Sequence, residues 1–219
     1  MTVLFLVVFL LLLWFVELLY KRFKSPGELT RKLAHFTATL STISFPYLFT
    51  DHWYVLALAI IFFILLFFSR KSRHLRSIHD IKRMSTGSYL LPVAIYVTFL
   101  IAHQLDNRFL FILAIMILAV SDPVAGLLGM KINGYNHEIV LFGKRMGKTW
   151  VGSFAFFISA FLLSLFAFYY HHQQFDLQST MLSALVALVA GLAELLSPKG
   201  TDNLFIPLSV LCLLICFGL

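Results

Sequence analysis

Charge is scarce in this sequence: charged residues make up 12% of the 219 positions, against 60% hydrophobic residues. With a mean hydropathy of +0.91, the chain has too few polar side chains to cover a water-soluble domain, which excludes that class. Cysteine is also rare, since Cys212 and Cys216 are the only two. They lie one helical turn apart, where a disulfide would strain the helix and a metal would lack further ligands. We therefore expect both to be packing residues.

The sequence contains several long runs of apolar residues. A helix of roughly 20 apolar residues crosses a hydrocarbon core about 30 Å thick, and several runs reach that length. We predict an all-α, polytopic integral membrane protein with about eight transmembrane helices. The predicted spans are residues 3–20, 31–49, 53–69, 86–103, 109–128, 150–170, 179–196 and 204–219. We expect one domain over residues 1–219, with its core at 29–219 and a first span that can be peripheral to it.

The basic residues predict the orientation of these spans. With eight spans, 16 of the 17 Lys and Arg residues fall on one side of the membrane, and only Arg108 falls on the other. The positive-inside rule makes the basic side cytoplasmic. The basic residues occupy loops and helix ends, where they can bind anionic membrane lipids. We therefore predict no nucleic-acid partner, and we place the active site at the cytoplasmic ends of the helices, where the polar motifs lie.

The first of these motifs is SDPVAGLLG, residues 121–129. Asp122 follows an apolar run, and a charge within the hydrocarbon costs roughly 2.5–3.5 kcal/mol, so it should face a polar cavity or a cation. Pro123 removes an amide donor, so we expect the regular helix to break here and irregular backbone to line a cavity. Gly126 and Gly129 allow close approach of a phosphate or of another helix.

A second motif is GKRMGKTWVGS, residues 143–153. It is not a P-loop, because that pattern needs glycine at Phe142 and a preceding strand, which we do not predict. We expect a flexible cationic loop leading into a helix whose first turn offers free amides to a polyphosphate. The phosphate-binding candidates from this segment are Lys148, Thr149, Gly152 and Ser153.

A third motif, RKLAH at residues 31–35, begins the second predicted span. Arg31 and His35 share a helical face, and Lys32 lies about a quarter turn away. Cations oppose the dipole at a helix N-terminus, and a bound anion would resolve that mismatch. His35 is our candidate general base, with an ordinary hydrogen-bonded histidine at the interface as the alternative.

The last group of polar residues lies near the C-terminus. Glu194 precedes the turn-rich segment SPKGTDN, which contains Lys199 and Asp202. Asp202 can be a helix cap, but with Asp122 and Glu194 it gives three carboxylates on the basic side of the membrane. Carboxylates beside cations indicate Mg²⁺ and a nucleotide polyphosphate. We predict these three carboxylates as metal ligands and Lys199 as a further phosphate contact.

The chain resembles the CTP-dependent membrane lipid kinases, the family of dolichol kinase, phytol kinase and CTP-dependent diacylglycerol kinase. The matching segments are RKLAH, SDPVAGLLG, GKTWVGS at 147–153, and ELLSPKGTDNLFIP at 194–207. Together they extend over most of the chain from the second span onward. The resemblance implies that Arg31, Lys32, Asp122 and Gly129 are associated with activity. Ser121 and Thr201 depart from the family pattern, which often has glycine at the first position and sometimes an acid at the second.

This resemblance implies phosphorylation of a membrane isoprenoid or polyprenoid alcohol, with CTP as phosphate donor and Mg²⁺ as cofactor. Diacylglycerol as the acceptor is the nearest alternative. A phosphatidate cytidylyltransferase would also bind CTP and Mg²⁺, but its SxxKR, KDxG and HGG segments are absent. A transporter is the non-enzymatic alternative, and it predicts polar residues at the bilayer midplane. The compartment would be the plasma membrane in a prokaryote or the endoplasmic reticulum in a eukaryote.

Overall fold

The structure, a computed structural model, describes residues 1–23, 27–71, 75–79, 86–132, 138–141, 143–198 and 200–219. Helices make up most of it. They are α1 (Thr2–Phe23), α2 (Gly27–Ser41), α3 (Phe45–Leu48), α4 (His52–Lys71), α5 (Arg76–His79), α6 (Gly87–Gln104), α7 (Arg108–Lys131), α8 (Trp150–His172), α9 (Leu177–Leu196) and α10 (Asp202–Cys216).

Six helices of the described part are long and apolar enough to cross a membrane. They are Thr2–Arg22, His52–Ser69, Gly87–Gln104, Arg108–Lys131, Trp150–His172 and Leu177–Leu196. Each coincides with a predicted span, so the chain is an integral membrane protein of the all-α class, as predicted. The last predicted span corresponds to the shorter apolar helix α10, of 15 residues.

The second predicted span, 31–49, has a different form. Its helix, α2, begins four residues earlier at Gly27 and ends at Ser41, where a 3₁₀ turn (Thr42–Ser44) leads into α3. The hydroxyls of Ser41, Thr42 and Ser44 each donate to a carbonyl three residues back. Such local hydrogen bonds compete with the helical ones, and they account for the break in the apolar run.

Helix α7 is the central helix of the bundle, with 67% of the residues in its apolar stretch buried. It packs against α2, α6, α8 and α10. It continues without a break through Pro123 to Lys131, so the expectation of irregular backbone at SDP is wrong. A single proline removes only one amide donor, and neighbouring side chains hydrogen-bond to the carbonyls around it, as described below.

One β-hairpin departs from the helical architecture. Strands β1 (Glu138–Leu141) and β2 (Lys144–Thr149) pair antiparallel, with Leu141 opposite Lys144. Gly147 has a φ of +68°, a conformation that glycine adopts at little cost, and its amide donates to Glu138 Oε1 at 3.0 Å. The expectation of a flexible loop without a preceding strand is therefore wrong. Phe142, which breaks the P-loop pattern, lies outside the described residues.

The elements that carry the polar motifs meet at one end of the bundle. There α7 and α9 end, and α2, α8 and α10 begin. The two cysteines lie elsewhere on α10 and are exposed, so the expectation that they are packing residues is wrong. The fold thus gathers the polar motifs singled out in the sequence at one end of the bundle.

Candidate functional site

A polar cavity of about 240 Å³ lies at this end of the bundle. Its wall comes from four segments distant in sequence: the start of α2, the C-terminal half of α7, β2 with the start of α8, and the α9–α10 connection. Eleven of the twelve predicted site residues line it, namely Arg31, Lys32, His35, Asp122, Gly129, Lys148, Thr149, Gly152, Ser153, Glu194 and Asp202. The twelfth, Lys199, lies outside the described residues. The predicted residues therefore lie together, and their roles remain predictions.

Lys32 and Asp122 form a buried ion pair between α2 and α7. Lys32 Nζ lies 2.7 Å from Asp122 Oδ2 and donates to the Asp122 carbonyl at 3.0 Å. Because both residues are less than 10% exposed, either charge alone would be costly. Gly126 provides the space for the lysine, since a Cβ at that position would lie 2.6 Å from Lys32 Cε. The glycine predicted to admit a phosphate or a helix instead admits this side chain.

His35 lies one turn further along α2, on the same side of the cavity. Its Nε2 lies 3.3 Å from the Leu118 carbonyl and 3.8 Å from Asp122 Oδ2. Because a carbonyl only accepts, Nε2 carries the proton, and Nδ1 is the proton acceptor of the neutral ring. Lys32 and His35 thus donate to two carbonyls near Pro123. These contacts lie on either side of Ala119, the residue whose carbonyl loses its helical donor because position 123 is proline.

Arg31 forms an ion pair within α2. Its Nη2 lies 2.8 Å from Glu28 Oε2, and its Nε also donates to that oxygen, at 3.3 Å. Glu28 occupies the first turn of α2, where an acid suits the helix dipole. The dipole mismatch that suggested a bound anion is therefore absent, because the helix starts earlier than predicted. Arg31 remains in the cavity wall, beside an acid that the sequence analysis did not single out.

Lys148 forms ion pairs with two carboxylates in the cavity wall. Its Nζ lies 2.6 Å from Glu194 Oε1 and 2.9 Å from Asp202 Oδ2. Burial alone would lower the pKa of this ammonium, but the charges of Asp202, Glu194 and Asp122 outweigh burial and raise the pKa above its ordinary value. Lys148 is therefore protonated at neutral pH. The sequence predicted it as a phosphate contact, and the structure shows the carboxylates that hold it.

The start of α8 packs closely against α7. Thr149 is the N-cap, and its Oγ1 accepts from the Gly152 amide at 3.2 Å, so this amide is capped within the helix. A Cβ at Gly129 would lie 2.8 Å from Thr149 Oγ1, and one at Gly152 would lie 3.0 Å from the Ala125 carbonyl. Both glycines thus permit close helix packing. The buried Ser153 Oγ has no hydrogen-bond partner and is the hydroxyl of this segment best suited to a ligand.

Sequence reasoning missed several residues of the wall. They include Glu28, Met130, Met146, Ser197 and Asn203. Asn203 is buried, and its Nδ2 donates to the Gly87 carbonyl at 2.7 Å. A lone amide in the first turn of an apolar helix is the sequence signal that could have identified it, because buried polar groups need hydrogen-bond partners.

The donor types in the wall fit a magnesium ion. Carboxylate oxygens are the ligands that Mg²⁺ prefers, and the wall contains Asp122, Glu194 and Asp202. Glu194 Oε2 is buried without a hydrogen-bond partner, so this oxygen is available to bind a ligand. Within the described ranges, no three His, Cys, Asp or Glu side chains form a cluster that could hold a metal ion. Lys148 lies between two of the carboxylates instead.

The fold and the cavity define the class: a helical integral membrane protein with a buried, charged cavity at one end of its bundle. No family model, curated protein or solved structure matches the chain.

Proposed function

We propose that the protein is a CTP-dependent lipid kinase that converts a membrane isoprenoid or polyprenoid alcohol into its monophosphate. One observation carries this proposal: the four segments that resemble that family converge on a single cavity with buried carboxylates and cations. Phosphoryl transfer from a magnesium nucleotide needs both kinds of charge. The resemblance supplies the choice of CTP and of a prenol, by analogy with the family.

The charges in the cavity wall support a magnesium polyphosphate as the ligand. Three sets of ion pairs lie there: Arg31 with Glu28, Lys32 with Asp122, and Lys148 with Glu194 and Asp202. A magnesium nucleotide brings a dication for the carboxylates and phosphate oxygens for the cations. Its binding would exchange partners without leaving a buried charge unpaired, which would otherwise be strongly unfavourable. An uncharged ligand would offer no such exchange.

In the proposed reaction, the alcohol oxygen forms a bond to the γ-phosphorus of CTP. The bond from that phosphorus to the β,γ-bridging oxygen breaks, and CDP leaves with the electron pair. His35 Nδ1 accepts the hydroxyl proton, and Asp122 stabilises the resulting imidazolium. Lys148 and Arg31 neutralise charge on the phosphates. Glu194 and Asp202, which lie 2.6 Å and 2.9 Å from Lys148 Nζ, would hold Mg²⁺ together with the phosphate oxygens, and Mg²⁺ would supply further charge neutralisation there.

The cavity is proposed to face the cytoplasm, where the nucleotide is available. The distribution of basic residues supports this orientation, since 16 of the 17 Lys and Arg residues fall on that side of the predicted topology. The protein would then act at the plasma membrane of a prokaryote or at the endoplasmic reticulum of a eukaryote, with its acceptor supplied by the surrounding lipid.

The proposal is tested with the purified protein in detergent with Mg²⁺. CTP is labelled on its terminal phosphate or on its cytidine, and a prenol mixture, diacylglycerol or phosphatidate is offered. We expect the terminal phosphate on the prenol, and loss of product in an Asp122→Asn variant. Asp106→Asn is the matched control, because Asp106 is exposed in the α6–α7 connection and asparagine tolerates its positive φ.

The other outcomes would contradict the proposal in distinct ways. Label on diacylglycerol would identify a diacylglycerol kinase, and cytidine on the lipid product would identify a cytidylyltransferase. No lipid labelling by a folded wild-type protein would leave the transporter as the better explanation. Circular dichroism and size-exclusion chromatography would establish that each variant is folded.

A further inference from the structure

A second cavity, of about 110 Å³, lies inside the bundle between α1, α2, α4 and α6. Its lining is mostly apolar, with Phe9 and Leu13 from α1 and Leu91 and Ile95 from α6. Nothing in the proposed phosphate chemistry accounts for it.

This apolar cavity extends along α4. The α4 residues that line it run from Val55 to Leu66 along one face of the helix, a distance of about 16 Å at the helical rise. The cavity therefore offers an apolar surface along about three turns of α4.

One end of the apolar cavity adjoins the polar cavity. Among the described residues, Arg31, His35 and Asn203 line both of them, so these three residues belong to a shared wall. All three carry hydrogen-bonding groups, whereas the remainder of the apolar cavity is lined mainly by hydrocarbon. A ligand that matches this arrangement has an apolar body and a small polar head at the level of His35.

We propose that the apolar cavity binds the hydrocarbon chain of the lipid alcohol acceptor, with its hydroxyl at the shared wall of Arg31, His35 and Asn203. This inference rests on the proposed function and deepens it, since it assigns the acceptor site. A hydroxyl at the wall lies at the boundary of the cavity proposed for the nucleotide.

The site is tested by filling it. Ala59 lines the cavity, whereas Ala57, on the same helix, is exposed outside it. We expect Ala59→Phe to raise KM for a long-chain prenol by about tenfold, and Ala57→Phe to leave KM unchanged. Ala38→Leu, on the α2 side of the cavity, is a second filling variant in case the first fails to fold. An unchanged KM in both folded filling variants would overturn the proposal.

A binding measurement separates this inference from the proposed function. A long-chain alcohol with a diazirine at the end of its chain is photocrosslinked to the wild-type protein without nucleotide. We expect the label on lining residues such as Val55 and Leu58, with competition from unlabelled prenol. Label confined to the exposed α4 residues Ile60 and Ile64 would overturn the site, even if the protein is a kinase. Label in the cavity without any phosphoryl transfer would instead retain the lipid site and contradict the kinase.

Discussion

Replacing Lys148 with methionine removes the cation between Glu194 and Asp202 and keeps a side chain of similar length. The Lys148 and Asp202 side chains are each 15% exposed, and that of Glu194 is 4% exposed. Breaking a buried ion pair by removing one partner costs roughly 3–5 kcal/mol, because the remaining charge is uncompensated. Since Asp202 keeps some access to solvent, we expect the lower end of that range, about 3 kcal/mol.

The assay is the free energy of unfolding, measured by titration with a denaturing detergent and followed by the helical circular dichroism signal. Lys21→Met is the matched control: its side chain is 66% exposed and pairs with Glu17 at 3.3 Å, so its loss should cost at most about 1 kcal/mol. Adding Glu194→Gln to Lys148→Met should recover most of the lost stability, because a neutral amide replaces the carboxylate that has lost its ion-pair partner. If the Lys148→Met protein were as stable as the control, or if the second substitution recovered nothing, the reasoning would be refuted.

Three further predictions concern the same region. Gly129→Ala should lower the free energy of unfolding by about 1–3 kcal/mol through overpacking. Gly191→Ala is the control and should be neutral or stabilising, because its Cβ would lie 3.9 Å from the nearest atom. Thermal unfolding of the two variants tests this difference. Gly126→Ala should displace Lys32 and abolish lipid phosphorylation while the protein stays folded, and retained activity would contradict the role of that ion pair. The raised pKa of Lys148 makes its stabilising contribution complete below the ordinary lysine pKa of about 10.4 and lost as the pH rises beyond it. Wild-type protein should therefore lose more stability than Lys148→Met in a strongly alkaline titration.

The sequence was sufficient to predict the long helices, because each is a run of apolar residues close to the thickness of a membrane. The span at 31–49 was the exception. Its apolar content suggested one helix, but the hydroxyls of Ser41, Thr42 and Ser44 donate to nearby backbone carbonyls. The mean hydropathy of the run does not reveal such hydrogen bonds. The hairpin at 138–149 was missed for a similar reason, since its pairing depends on backbone contacts rather than on an apolar pattern.

The composition of the cavity wall could be predicted in part. Asp122 and Lys32 stand out as charges in apolar surroundings, and the cost of burying them indicates a function or a partner. Their pairing could not be read from spacing, since 90 positions separate them. The same holds for Asn203, whose partner Gly87 lies 116 positions away. Local patterns identify residues that need a partner, whereas the choice of partner follows from how the helices pack.

The double contact of Lys32 with Asp122 has a mechanical consequence. The lysine donates both to the carboxylate and to the backbone carbonyl of that residue, immediately before the proline that weakens α7. Any ligand that draws Lys32 away therefore removes a brace from the backbone at the point where the helix is most easily bent. Occupancy of the cavity would thus be coupled to bending of the central helix through one ammonium group. Because α7 packs against α2, α6, α8 and α10, a bend there would change the packing of those helices as well.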